Sequence, residues 1–297
     1  MDGISIGKAG RLRVEENAVV RLSPLHVVVF ACIFQDEKKS GPAMLEFLNA
    51  ILTEVGEEPI TEILDMKSEY SILGESAGLK YGRLDVRVKG ESGRLFNIEV
   101  QIDKDYMNER GSFYGFRMAS GEFEEGTPYN EIPSVRVITI DDFHVREGSE
   151  EVVEPVGMVY LKAPVEEATS VFKMYHIQLP EFRKKYKTLE SVKGELFLTW
   201  LYLLVQGYKD EEEMKMLAQM TDGMKNFAEQ YGIAINDPML IRKYRFYQDS
   251  KRDEATRFAV AERNTKLKMA KGMKAENIST DVIARITGLS ATEIETL

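Results

Sequence analysis

Two carboxylic acids and one amide are the side chains of this sequence best suited to chemistry. They are Asp85 in segment 83–89, and Glu99 and Gln101 in segment 95–102. In both segments apolar and polar residues alternate, which is typical of β-strands because successive side chains point to opposite faces. Two converging carboxylates suit Mg²⁺, which prefers hard oxygen ligands and keeps part of its shell for water and phosphate. Such an ion lowers the pKa of a bound water and stabilises charge on a phosphodiester.

The connection between the two segments decides whether these carboxylates meet. Residues 90–94 contain two glycines and are typical of a hairpin connection. If the pairing is symmetric about Ser92, Asp85 lies directly opposite Glu99, with Cβ atoms about 4.5–5.5 Å apart. The two acids then repel each other, and a divalent cation, a basic side chain or solvent must compensate. The alternative is a hairpin with one solvent-exposed face, and its acids are then neutralised by Arg87, Lys89 or Arg94.

The surrounding sequence predicts the elements that would support this hairpin. Segment 27–34 is apolar and fits a buried helix or a buried strand. Segment 43–52 has leucines at helical spacing, and Pro42 suits the first position of that helix. We also expect a helix at about 104–125, a strand at 134–140, strand and loop at 152–172, a mainly helical pattern from Leu189 onwards, and two short tail helices joined at Gly288 with Ser290 as a cap.

Charge is distributed unevenly along the chain. The net charge is −10, from 39 basic and 49 acidic residues. Segment 242–274 contains eleven basic and four acidic residues, a balance of +7. Such a segment predicts an anionic partner, and Arg242, Lys243 and Arg245 stand among aromatic residues that can stack on bases. The alternatives are a solvated helix face for the charges and a core stripe for the aromatics.

Several other functional classes are excluded or disfavoured. The single cysteine, Cys32, excludes an internal disulfide and a cysteine-rich zinc site, and it fits a buried thiol. His144 and His176 we interpret as structural or surface residues, because no histidine-based metal motif is visible. The sequence contains no glycine-rich phosphate loop and no nucleophile-elbow motif. No apolar run spans a bilayer and no signal peptide is apparent, so we expect a soluble cytoplasmic protein with no membrane association.

The strings Leu84-Asp-Val and Asn97-Ile-Glu-Val-Gln101 resemble the core of the PD-(D/E)XK nuclease family transposases, also called recombination-promoting nucleases. The resemblance extends over residues 22–297. Its further matches are Phe47-Leu-Asn-Ala-Ile-Leu52, Arg110, Tyr114, Gly126-Thr-Pro-Tyr129, Trp200, Lys271-Gly272 and Ile283-Ala-Arg-Ile-Thr-Gly-Leu289. It implies an α/β, restriction-endonuclease-like fold with a mixed central sheet flanked by helices. We expect a lead-in at 1–21, the nuclease-like domain at 22–180 and a helical C-terminal region at 181–297.

The resemblance also implies a function, a divalent-metal-dependent DNA endonuclease in recombination or mobile-element biology. Asp85, Glu99 and the backbone carbonyl of Val100 would bind Mg²⁺ or Mn²⁺. Gln101 would orient the attacking water where the wider superfamily has lysine. DNA is the implied partner, and the oligomeric state, including a homo-oligomer, stays open.

One departure from the family separates two interpretations. Val27 and Ala31 occupy positions where the family usually has Asp and Lys. Either the site works without them, or the chain is a catalytically degenerate relative that acts as a DNA-binding or protein-interaction module. An unrelated α/β domain with a solvent-exposed hairpin is a third interpretation.

Overall fold

The computed structural model describes residues 22–68, 86–91, 93–101, 107–121, 126 and 128–297. The chain forms two compact units, one that ends at Leu240 and one from Ile241 to Leu297. The domain boundary that we expect at residues 180 and 181 stays a prediction. The predicted lead-in at 1–21 lies outside the described residues.

The first unit begins with two helices. The apolar segment that fits either a helix or a strand forms helix α1 (Val27–Ile33). His26 caps it, because its Nδ1 accepts a hydrogen bond from the backbone N–H of Val28. Helix α2 (Glu37–Glu54) begins after Asp36, whose carboxylate accepts from the backbone N–H of Lys38. The prediction that Pro42 starts this helix is wrong, because Pro42 lies inside it. The Asp36 cap starts the helix six residues before Pro42. The burial of the apolar face of α2 then compensates for the backbone hydrogen bond that the proline cannot donate.

A six-stranded mixed sheet forms the centre of this unit, in the order β1-β2-β3-β4-β6-β5. The strands are β1 (Ile63–Ser68), β2 (Val86–Gly90), β3 (Leu95–Gln101), β4 (Val135–Asp141), β5 (Val153–Tyr160) and β6 (Ala163–Gln178). Strand β4 lies between β3 and β6 and is parallel to both. The other neighbouring pairs, β1 with β2, β2 with β3 and β5 with β6, are antiparallel. The predicted mixed sheet flanked by helices is confirmed.

The predicted hairpin register is confirmed for the described pairs. Val86 lies opposite Ile98 and Lys89 lies opposite Leu95, so the two strands are symmetric about position 92. Gly93 takes a φ of +73°, a conformation that favours glycine, and this closes the turn. Asp85 directly precedes β2 in sequence and lies outside the described residues.

The two faces of the sheet are covered by different helices. Helix α3 (Met107–Gly121) packs on one face through its glycines, since a Cβ at Gly111 would lie 2.8 Å from Met174 and one at Gly115 would lie 2.3 Å from Phe172. We call this the α3 face. Its described members on the three parallel strands are Leu95, Asn97, Glu99, Val135, Val137, Thr139, Asp141, Phe172, Met174, His176 and Gln178.

The opposite face meets the end of α2. Glu57, three residues beyond that helix, bonds Arg136 on β4 and Tyr175 on β6. Phe96 and Ile98 on β3 point to this side and are fully buried. Both faces of β3 are therefore inside the protein.

The rest of the chain is mainly helical, as predicted. The helices are α4 (Leu179–Lys185), α5 (Leu196–Val205), α6 (Glu211–Leu217), α7 (Asp222–Ile235), α8 (Pro238–Ala275), α9 (Thr280–Thr287) and α10 (Ala291–Glu295). In the second unit Ala270, Ile283, Leu289 and Ile294 form a small core. The predicted turn is confirmed, with Gly288 at a φ of +71° and a Ser290 cap on α10. Within the part of the chain that the structure describes, no helix has the length and apolarity needed to cross a membrane.

Candidate active site

The α3 face changes from apolar to polar along the direction of the parallel strands. Leu95 and Val135 are the first residues of β3 and β4, they pair in one row with Phe172 of β6, and all three belong to one apolar cluster. Further along, Glu99 pairs with Thr139, and Thr139 pairs with His176. Side chains of paired residues lie on the same face, so these three form one row across the sheet. In open α/β sheets ligands bind at the carboxyl ends of the strands, and the polar row lies toward that end.

Glu99 is the predicted site residue that the structure describes most fully. Its relative exposure is 1%, and the side-chain amide of Asn97 donates a hydrogen bond of 3.0 Å to Glu99 Oε1. Asn97 itself is fully buried. The alternative of a hairpin with a solvent-exposed face is therefore wrong for these two residues. The reason is that β3 is an inner strand, covered by α3 on this side, and not an isolated hairpin arm.

The other predicted site residues are only partly described. Gln101 ends β3, where its backbone pairs with Asp141, and its side chain lies outside the described part. Val100 is half-buried and pairs with Ile140 on the opposite face of the sheet. The structure thus brings Asn97 and Glu99 together, whereas the roles of Asp85, Val100 and Gln101 stay predictions.

A metal site can be tested against the donor atoms that are present. Glu99 supplies a buried carboxylate of the hard oxygen type that Mg²⁺ prefers. Among the described residues, no three histidine, cysteine, aspartate or glutamate side chains group closely enough to hold an ion. The donor chemistry therefore fits a divalent ion at Glu99, and a complete set needs Asp85 or other groups outside the described part.

A buried polar network beside Glu99 was not predicted from the sequence. The hydroxyl of Thr139 donates to Asp141 Oδ2 at 2.6 Å and lies 2.7 Å from His176 Nδ1. His176 Nδ1 is also 3.2 Å from Asp141 Oδ2. All three side chains are fully buried, so the surface alternative for His176 is wrong. The sequence did contain a signal for this network. Thr139 and Asp141 lie on the same face of β4 as Val135 and Val137, so that face changes from apolar to polar along the strand.

The predicted DNA-binding residues lie near the start of α8. Arg242 and Arg245 are exposed and Lys243 is half-buried. Phe246 is 64% exposed, so this aromatic ring does not belong to a core stripe. Further along the helix, some basic side chains pair with acids of α8 itself, namely Lys251, Arg252 and Lys266. A DNA-binding role for Arg242, Lys243 and Arg245 stays a prediction.

Comparison with known proteins gives one finding for the chain as a whole. The family model described as PD-(D/E)XK nuclease family transposase matches residues 24–261. This range contains the whole sheet, the polar row and most of α8. No curated protein and no solved structure matches the chain.

Proposed function

The chain belongs to the PD-(D/E)XK nuclease family transposases, and we propose that it is a divalent-metal-dependent DNA endonuclease. Membership supports a nuclease-like function and DNA as the substrate. The observation that carries the finer proposal is Glu99, a buried carboxylate held by Asn97 toward the carboxyl end of the parallel strands. A carboxylate placed there at a cost in desolvation suits cation binding better than it suits packing.

The proposed site divides its tasks among neighbouring residues. Glu99 binds the ion together with Asp85 and the carbonyl of Val100. The bond from Asn97 fixes the rotamer of Glu99, because it engages Oε1 from two residues earlier on the same face. Gln101 orients the attacking water, since an amide offers both donors and an acceptor but no charge. Mg²⁺ or Mn²⁺, when bound, would supply positive charge that lowers the pKa of water and stabilises the phosphorane-like transition state.

A plasmid-cleavage assay with Mg²⁺ or Mn²⁺ tests the proposal. The informative variant is Glu99→Gln, because it keeps an acceptor for Asn97 whereas alanine would leave that buried amide without one. We expect Glu99→Gln and Asp85→Ala to lose cleavage, and the parent to gain melting temperature from millimolar metal. Glu131→Gln is the matched control, since Glu131 is an exposed carboxylate in the short turn before β4. A parent that neither cuts DNA nor is stabilised by metal contradicts the endonuclease proposal.

A second proposal concerns DNA binding by the start of α8. If Arg242, Lys243 and Arg245 contact phosphates, replacing all three with glutamine should weaken binding and flatten its dependence on salt, since fewer counterions are released. The matched control replaces Lys251, Arg252 and Lys266 with glutamine, because it also removes three positive charges and all three residues pair with acids of their own helix. If the triple variant at the start of α8 binds DNA as tightly as the parent and with the same salt slope, that segment is a solvated helix face and not a DNA-binding surface.

One observation favours the degenerate-relative alternative. Ala31 occupies the position at which the family usually has lysine, and its relative exposure is 1% on the inner side of α1. No basic side chain fits there without repacking. Under this alternative the parent binds DNA with the same salt dependence but shows no turnover, so the two assays above separate the two functions.

A further inference from the structure

The network beside Glu99 contains a histidine whose two ring nitrogens have different surroundings. His176 Nδ1 lies within 2.7 Å of Thr139 Oγ1 and 3.2 Å of Asp141 Oδ2. His176 Nε2 is buried and has no hydrogen-bond partner among the residues that the structure describes. A buried polar atom without a partner costs free energy, so it calls for a functional explanation.

The hydrogen bonds assign the tautomer of this imidazole. The Thr139 hydroxyl donates to Asp141 Oδ2, so its oxygen has lone pairs and no second proton to offer His176. Nδ1 must then carry the proton, because otherwise its lone pair would face the oxygens of both Thr139 and Asp141. With the proton on Nδ1, a neutral imidazole presents a basic lone pair at Nε2. The same arrangement, an acid that fixes the Nδ1 proton, prepares a histidine for proton transfer in hydrolases.

The position of His176 relates this base to the proposed site. Glu99, Thr139 and His176 form one row on the α3 face. Thr139, which lies between Glu99 and His176, has a small side chain. Gln101, at the position of the superfamily lysine, cannot accept a proton at neutral pH. The proposal assigns the carboxylates of Asp85 and Glu99 to the ion, so neither is free to take the proton of the attacking water. His176 lies in the same row as Glu99, on the far side of Thr139.

We propose that His176 is a catalytic base of this site, which accepts the proton of the attacking water at Nε2, and that Asp141 and Thr139 are its positioning residues. This inference rests on the proposed nuclease function. As the water oxygen bonds to phosphorus, its O–H bond breaks and the proton passes to Nε2. The phosphorus–oxygen bond to the leaving sugar breaks, and that oxygen takes a proton from solvent. The imidazolium then returns its proton to solvent.

Other charged groups near this imidazole must be separated from it in any pH experiment. On β4 the neighbouring acid is Asp141, and on β5 the residue paired with His176 is Glu154, which bonds Ser149 and Arg146. Beyond Thr139 stands Glu99 on β3. The first turn of α3, on the covering side, carries Glu109 and Arg110.

The test measures single-turnover plasmid cleavage from pH 5 to pH 9 in the parent, in His176→Gln and in His144→Gln. His144 is the matched control, because it lies on the loop after β4 and pairs with Glu181. Burial lowers the pKa of the remaining histidine, His26, to about 4, below the tested range. Each protein is assayed with Mg²⁺ and with Mn²⁺, since an inflection from metal-bound water moves with the ion and one from an imidazole does not.

We expect His176→Gln to lose about 100-fold or more in rate, the usual contribution of a general base. It should also lose the metal-independent acid inflection that the parent and His144→Gln show. A rate within tenfold of the parent with the same inflection overturns the inference and leaves the nuclease function standing. A parent that does not cut DNA overturns both.

Because His176 is fully buried, His176→Gln needs a melting curve, and a second variant keeps the test decisive if it unfolds. Asp141→Asn keeps the volume of the side chain, but its amide can donate to Nδ1 and favours the tautomer with the proton on Nε2. We expect this variant to melt near the parent temperature and to lose cleavage by a similar factor. Full activity in a folded Asp141→Asn variant overturns the inference.

Discussion

Replacement of Glu57 by glutamine should destabilise the first unit strongly without touching the proposed site. The Glu57 side chain is 9% exposed. Both of its carboxylate oxygens accept from Arg136 Nε, each at 2.8 Å. Tyr175 donates its hydroxyl to Glu57 at 2.5 Å, and Lys173 Nζ lies at 3.3 Å. These contacts join the end of α2 to β4 and β6 on the face opposite Glu99.

The magnitude follows from what the substitution leaves behind. The Arg136 side chain is 6% exposed, so it would become a buried cation without its counter-charge, which costs about 3–5 kcal/mol. The lower end applies here, because glutamine still accepts one hydrogen bond and Lys173 also pairs with Glu167. A loss of about 3 kcal/mol lowers the melting temperature by roughly 6–12 °C in a domain of this size. Glu58→Gln, next in sequence and exposed, is the control that should change neither value.

The pH dependence gives this prediction a second check. Burial alone would raise the pKa of Glu57, but the hydrogen bonds from Arg136 and Tyr175 outweigh it and lower the pKa below its usual value. A carboxyl with a depressed folded pKa stabilises the protein above its unfolded pKa, about 4.3, and loses that contribution as the pH falls further. Urea titrations should therefore show the full difference between parent and Glu57→Gln at pH 7 and a shrinking one below about pH 4. A difference under about 1 kcal/mol at pH 7, or one unchanged at pH 3, would refute the reasoning.

Three further substitutions test side-chain packing and helix stability in the two units. Gly115→Ala should lower the free energy of unfolding by about 1–3 kcal/mol in urea titrations, because the new Cβ would lie 2.3 Å from the Phe172 ring. Gly272→Ala in α8 should instead stabilise its helix by about 0.5–1 kcal/mol, because the new Cβ meets nothing within 4 Å and alanine favours the helix. Glu46→Ala should cost about 1–3 kcal/mol and change the fluorescence of the single tryptophan, since Glu46 accepts the indole N–H of Trp200 at 3.0 Å; unchanged emission would contradict it.

The sequence predicted the hairpin well because its information is local. Alternation assigns each residue of 86–101 to a face, and a short glycine turn allows few registers, so Val86 and Ile98 meet as expected. The same reasoning failed for solvent exposure, because a pattern within one hairpin does not report what covers it. Burial of Asn97 comes from α3 and from the parallel pairing of β3 with β4, both non-local.

Helix ends show a similar limit. The Gly288 and Ser290 signals at the tail act within one turn, and the structure has both. At α2 two local signals compete, the Asp36 cap and the breaker at Pro42. The cap sets the start because the helix buries Met44 and Phe47 and thereby compensates for the hydrogen bond lost at the proline. His176 could not be placed from sequence, since its partners Thr139 and Asp141 come from another strand.

The cost of the Thr139–Asp141–His176 network offers a final test of whether the site exists for chemistry. Replacing a buried ionic or polar group with apolar residues of similar volume is often neutral, or stabilising by about 1–4 kcal/mol, because no charge then has to be desolvated. If the network serves catalysis, the triple variant Thr139→Val, Asp141→Leu and His176→Phe should fold with equal or greater stability and have no cleavage activity. The single variant Asp141→Leu should be less stable than the triple, because it leaves the buried Thr139 hydroxyl without the carboxylate to which it donates. If instead the network specifies the packing of β4 against β6, the triple variant loses more than about 3 kcal/mol in urea titrations. That outcome would assign these three residues to the fold and remove the energetic argument for a functional site in this row.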